Sequence, residues 1–180
     1  MFTTARSLLL SLLVLLPGQP AWADSVEEIN AKALNALVFL KDYADGSEEF
    51  LRDAAGVLVF PDVVKLGFGV GGQYGEGVLL VDRKPVAYYA TSGATFGLQL
   101  GVQFKAEVIA FVTEEALQRF RDSHGWEVGV DGSIALARRG AGAGIDTLSS
   151  DDDVVGFIFS NKGLMTNLTF EGAKITRLAR

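Results

Sequence analysis

The chain has 180 residues, 49% of them apolar, with 16 basic and 22 acidic side chains and a formal net charge of −6. That balance argues against a nucleic-acid partner and against nonspecific adhesion to anionic surfaces, unless the few cations cluster. There is no cysteine and a single histidine, so disulfide bracing and metal sites built from thiolate and imidazole are excluded.

Residues 1–23 read as an export signal. Arg6 supplies the positive start, and Ser7 to Leu16 form an apolar run too short to span a bilayer comfortably. Pro17, Gly18 and Pro20 break it, and Ala21-Trp22-Ala23 is a small-x-small cleavage site. The segment from 24 to 180 is then the mature chain, of a length that suits one domain. No cysteine follows the cleavage site, so the expected product is a periplasmic or secreted protein without an acyl anchor, peripheral to the membrane.

Asp24 to Tyr43 has apolar residues at helical spacing (Val26, Ile29, Ala33, Ala36, Leu37, Leu40), with Glu27 and Glu28 near its start. It predicts a helix lying on a sheet. A second short helix is expected over 46–54, capped by Ser47. Val57 to Phe60 is a continuous apolar run that predicts a buried strand, and Pro61-Asp62 predicts a turn.

Six of the eleven residues from Gly67 to Gly77 are glycine, alternating in part with Phe68, Val70 and Tyr74. A second run places Gly93, Thr95, Gly97, Gln99, Gly101 and Gln103 on one strand face, opposite Phe96, Leu98, Leu100, Val102 and Phe104. Glycine is costly in strands. A bare face therefore signals close approach or a hard bend of the sheet. The reading here is a glycine hairpin over 67–77 with a return strand at 78–81, a polar turn at 82–85, and strands at 86–91, 95–104 and 108–112. A bend is expected at Lys105 to Glu107, because one straight strand through the whole segment would exceed the usual ~3–10 residues.

Thr113 with Glu114 and Glu115 starts a helix, which Asp122 to Gly125 stops. Trp126 to Ala137 alternates as a strand. Residues 138–153 predict a long loop. Val154–Ser160 and Leu164–Phe170 predict a hairpin joined at Asn161-Lys162-Gly163, with a last short strand over 172–178. Together these elements predict an α+β protein: a strongly curved or barrel-like antiparallel β-sheet, with an N-terminal helix and one mid-chain helix packed on it.

The ordered motifs resemble the SYLF domain, a lipid-binding family found in bacteria and eukaryotes. They are Gly56 to Pro61, Lys65-Leu66-Gly67-Phe68, Gly71-Gly72-Gln73-Tyr74-Gly75-Glu76-Gly77, Thr95 to Gly101, and Asn161-Lys162-Gly163-Leu164. The resemblance covers roughly Asp24 to the end and implies contact with phospholipid. It further implies a basic amphipathic N-terminal helix on phosphoinositide membranes and work with the actin cytoskeleton, as in eukaryotic members. The acidic start of this helix fits the first poorly, and an exported chain would not meet actin.

Site chemistry is sparse. Gly67 to Gly72 satisfies G-x-G-x-x-G, but a strand pattern follows where a dinucleotide site needs a helix. His124 has no Gly-x-Ser-x-Gly elbow to serve, and Asp146 with Asp151 to Asp153 lacks calcium-loop spacing. No catalytic residue, metal or cofactor is expected. The expected partner is a phospholipid or membrane surface, held by Lys65, Lys105, Arg138 and Arg139 beside an exposed Phe68 or Tyr74. An envelope protein docked on a strand edge, or a small apolar ligand in a cavity, are the alternatives.

Overall fold

The computed structural model describes residues 24–123, 125–137, 152–160, 163–164, 170 and 172–180, without the side chains of 68–69, 95–100 and 163–164. The expected signal segment, His124, Arg138, Arg139, Asp146, Asp151 and most of the expected strand from 164 to 170 lie outside these residues.

Helix α1 (Val26–Tyr43) ends where the sequence says it will and begins two residues inside the expected span. The Ser25 side chain accepts a hydrogen bond from the Glu28 amide, and Glu27 and Glu28 occupy the first turn. Ile29, Ala33, Ala36 and Leu40 form its buried stripe. Lys32 fixes its start in space, reaching Asp24 at 2.8 Å, Glu28 at 2.9 Å and Asp62 at 3.2 Å. Hydrogen bonds from its ammonium to Asp24, then Glu28, hold that group well above the usual lysine range. Helix α2 (Ser47–Asp53) starts one residue off the expectation: Gly46, in a left-handed conformation, is the cap, and Ser47 is buried and donates to the Leu40 carbonyl.

The glycine-rich region overturns the expected connectivity. Strands β1 (Gly56–Val81) and β2 (Lys84–Phe111) run without interruption and pair antiparallel along their whole length. There is no hairpin at 67–77 and no turn at Pro61-Asp62. The one reversal is the tight turn at Asp82 and Arg83, both in left-handed backbone (φ 49° and 62°), as the right-handed twist of a two-residue hairpin demands. Pro61 and Asp62 instead form a bulge, two residues facing Ala106 alone. The bend expected on β2 at Lys105 to Glu107 is thus made by its partner strand.

Strands of this length survive because they fold over. A Cβ on Gly71 would meet the Leu66 carbonyl oxygen and lie 2.5 Å from Gly67 Cα. In a straight strand, residues five apart are about 16 Å distant. Beyond this corner the ribbon returns across itself. A Cβ on Gly75 would lie 2.8 Å from the Asp62 carbonyl oxygen and 2.9 Å from Val63 Cγ2, and one on Gly77 would meet the Val59 carbonyl. Gly101, opposite Gly67 in register, has φ +120° and turns β2 through the same corner.

The remaining elements complete the curled sheet. Helix α3 (Glu114–Asp122) is capped by Thr113, whose side chain accepts from the Ala116 amide. Strands β3 (Trp126–Glu127), β4 (Ala135–Leu136), β5 (Val154–Ser160), β6 (Gly163–Leu164) and β7 (Lys174–Leu178) follow. One end of β2 pairs with β5 and the other with β7, β3 adds to β7, and β6 folds back on β5 as the hairpin reading expects. Two details depart from expectation. The stretch 126–137 is not one strand, because a turn closed by the Gly129 amide on the Gly132 carbonyl splits it. And β4 pairs parallel with β5, so the sheet is not wholly antiparallel.

Two apolar clusters lie on the two faces of the strands. Leu58, Phe60, Val63, Leu79, Ile109 and Phe111 meet Leu117 and Phe120 of α3, with Trp126 beside them. The Phe120 ring sits 4.7 Å from Phe111 and 4.9 Å from Tyr89, and edge-on to Trp126. Val57, Val59, Val78, Leu80, Val108, Val155 and Phe157 meet the stripe of α1. The hydroxyl of Tyr88 donates to Asn30 Oδ1 at 3.2 Å, tying α1 to β2.

Candidate functional site

The corner where the paired strands fold over is an unusual surface among the described residues. Gly71 packs against the backbone of Leu66 and Gly67 there, and several apolar side chains are left facing outward. Leu66 is 53% exposed, Val70 66%, Val102 55% and Phe104 65%. Register sets Leu66 opposite Val102, with Phe104 two residues along the same strand face, while Val70 follows on β1 past the corner. Single exposed apolar side chains are ordinary, whereas a contiguous set marks a contact surface.

Charge sets the corner apart. Residues 63–75 and 84–106 contain no aspartate or glutamate, although the chain carries 22. The carboxylates that flank this stretch on β1 are Asp62, which pairs with Lys32 at 3.2 Å, and Glu76. Glu76 accepts from the Tyr74 hydroxyl at 2.9 Å and pairs with Arg180 at 2.7 Å, and the Arg180 guanidinium also donates to the Asp24 carbonyl. Burial, then the hydrogen bond to Glu76, pushes the Tyr74 phenol above its usual value. The corner thus exposes apolar side chains without presenting negative charge.

The expected cation site is only partly assembled. Lys65 is half-buried on β1 opposite Gln103, and the adjacent register pair is Val63 with Lys105. The two lysines are therefore diagonal neighbours on one face. Lys105, however, is no surface contact. Its side chain is 3% exposed and its ammonium lies 2.6 Å from Glu107 Oε1, itself 1% exposed. The physical reason is strand alternation: Lys105 and Glu107 fall on the same face of β2 as Ile109 and Phe111, and that face packs into the core. Burial pushes the Glu107 carboxyl up despite the opposing pull of Lys105. Phe68 pairs with Leu100 at the corner, but its side chain lies outside the described residues, as do Arg138 and Arg139.

The apolar residues Leu66, Val70, Val102 and Phe104 carry the site, and the cation-based reading passed over them as a group. Alternation opposite glycine was the available signal. Without the fold-over it could not say which face is outside. The G-x-G-x-x-G run lies inside β1, which continues to Val81 with no helix after it, so the phosphate-binding context of that motif is missing. Among the described residues no three histidine, cysteine, aspartate or glutamate side chains group as metal ligands. No helix among them is long and apolar enough to cross a membrane.

Residues 92–179 match the family Ysc84, described as "Las17-binding protein actin regulator". The match begins within β2, just before the second glycine run, and extends through β7. Residues 92–179 thus form a domain of this family, consistent with a SYLF domain protein. The chain matches no curated protein.

Proposed function

We propose that this chain is an exported, non-enzymatic lipid-binding domain that contacts phospholipid membranes through the folded corner of β1 and β2. The family match supports lipid or protein binding as the broad class. Export rests on the residue pattern of the first 23 positions. The observation that carries the membrane reading is the acid-free corner bearing Leu66, Val70, Val102 and Phe104.

Fully burying such a side chain is worth about 1.5–3 kcal/mol. Each of the four already has roughly half its surface covered, so inserting the group is worth roughly 4 kcal/mol. That corresponds to a partition near 10³-fold, about that of a reversible single-chain anchor. Lys65 adds a cation reaching from the opposite face, with its stem running along apolar surface and its ammonium kept in water. Binding is therefore weak, reversible and more sensitive to the apolar corner than to headgroup charge.

The test is flotation of the purified protein with phosphatidylcholine vesicles, with and without phosphatidylglycerol. Wild-type protein floats with both. The double variant Val70→Asp/Val102→Asp stays at the bottom of the gradient, and Lys65→Glu loses only part of the anionic increment. No flotation with either vesicle, or equal flotation of the double variant, removes the proposal. A second reading, a protein-interaction module of the envelope, is favoured by the family's own description as a protein-binding regulator. Stoichiometric capture of one envelope protein, lost in the same double variant, would favour it.

A further inference from the structure

At the fold-over the glycine positions are closed by the strand itself, since Cβ atoms on Gly71, Gly75 and Gly77 would all meet backbone of β1. A groove lies elsewhere, between α1, α2 and the β1–β2 turn. Its volume is about 550 Å³, within the range of small-molecule sites. Leu37, Leu51, Val57 and Leu80 line it, and Leu34 and Val38 stand exposed along α1. Lys41 and Glu48, 2.6 Å apart, clasp α1 to α2 at its side, and hydrogen bonding from Lys41 lowers the Glu48 carboxyl.

Its mouth holds an oddity. The turn residues Asp82 and Arg83 both line the groove and both have left-handed backbone. Glycine or asparagine fits such positions at little cost, and a long side chain does not. Arg83 nevertheless stands there, and among the described residues it makes no ion pair or hydrogen bond. Lys41 and Arg52 also line the groove, but each is already paired with a carboxylate. Arg83 is therefore the cation available to a ligand.

We propose that this groove binds one fatty-acid molecule, its acyl chain along Leu37, Leu51 and Leu80 and its carboxylate on the Arg83 guanidinium. A planar guanidinium suits a carboxylate through two parallel hydrogen bonds. A cavity of this size suits a single chain better than a two-chain phospholipid. The inference deepens the lipid-binding reading, but it uses a different face from the folded corner, so the two fail separately.

The test uses delipidated purified protein and cis-parinaric acid, displaced by palmitate or by hexadecanol. The expected result is saturable binding of one molecule per chain below the micellar range, with palmitate displacing better than hexadecanol. Arg83→Gly weakens palmitate by about tenfold, as expected for one charge-assisted contact, leaves hexadecanol unchanged, and raises the melting temperature by relieving the turn. Val38→Glu, at an exposed position, abolishes both and leaves vesicle flotation intact. The proposal is overturned by non-saturable binding, by palmitate binding unchanged in Arg83→Gly, or by sedimentation showing that Val38→Glu dissociates a dimer, which would assign the groove to a second copy. Loss of flotation in the corner variants with palmitate binding retained bears on the membrane reading alone.

Discussion

Replacing Gly77 by alanine tests whether glycine is there to let the ribbon close on itself. By propensity alone the change is favourable, since glycine inside a strand costs about 0.5–1 kcal/mol relative to alanine. The structure reverses that sign. The new methyl would meet the Val59 carbonyl and lie 2.5 Å from Phe60 Cδ1, both on the other limb of the same strand. Phe60 is fully buried and the carbonyl belongs to the backbone, so neither moves aside cheaply. Overpacking of this kind costs about 1–3 kcal/mol or more, and the net is a loss of about 2 kcal/mol. Gly72→Ala is the control. Its methyl finds only the Gly93 carbonyl at 3.6 Å, an ordinary contact, and the variant gains about 0.5 kcal/mol. The two differ by roughly 2.5 kcal/mol, or about 5–10 °C in melting temperature for a chain of this size. Urea unfolding followed by circular dichroism measures it. Equal stabilities for the two variants would refute the account of the fold-over.

Three further outcomes follow from other contacts. Lys105→Met leaves the Glu107 carboxylate buried beside no cation and costs about 3–5 kcal/mol in urea unfolding, whereas Lys105→Met/Glu107→Leu recovers much of it. Because burial raises the Glu107 carboxyl above its ordinary value near 4.5, the folded state holds that proton longer than the unfolded state. Its contribution is thus full below about pH 4.5 and declines as pH rises through the folded value; stability curves of Glu107→Gln lack this decline. Arg180→Ala removes the partly buried pair with Glu76 and the bond to the Asp24 carbonyl, costing about 1–3 kcal/mol, and hydrogen exchange at the start of α1 reports the loosening.

The sequence made the helices legible because their signals are local. Ser25 and Thr113 cap as their neighbours dictate, and the apolar stripe of α1 is buried as its spacing requires. The curvature of the sheet was legible too, since glycine at alternate positions has few other uses in a strand. The path of the chain through that curvature was not. Gly71, Gly75 and Gly77 look like turn formers until the limb they approach, Val59 to Val63, is known, and that contact lies outside any local window. Pro61-Asp62 likewise reads as a turn, and its true role as a bulge depends on pairing with Ala106 on a strand more than forty residues away.

The same limit governed the site. Lys105 looked like a surface cation because nothing local reveals that Glu107 lies beside it on an inward face. The outward group at the corner needed the fold-over before its exposure could be read, since alternation distinguishes two faces without naming the wetter one.

The most direct measurement places a reporter on the corner itself. Val70→Trp adds a tryptophan at a 66% exposed position, against a native Trp126 that is 5% exposed. Mixed with vesicles carrying brominated acyl chains, the new indole shifts to the blue and is quenched, while Trp126 in the wild-type protein is unaffected. An indole at position 70 that keeps its aqueous emission and escapes quenching, under conditions where the wild-type protein floats, would place the membrane contact elsewhere.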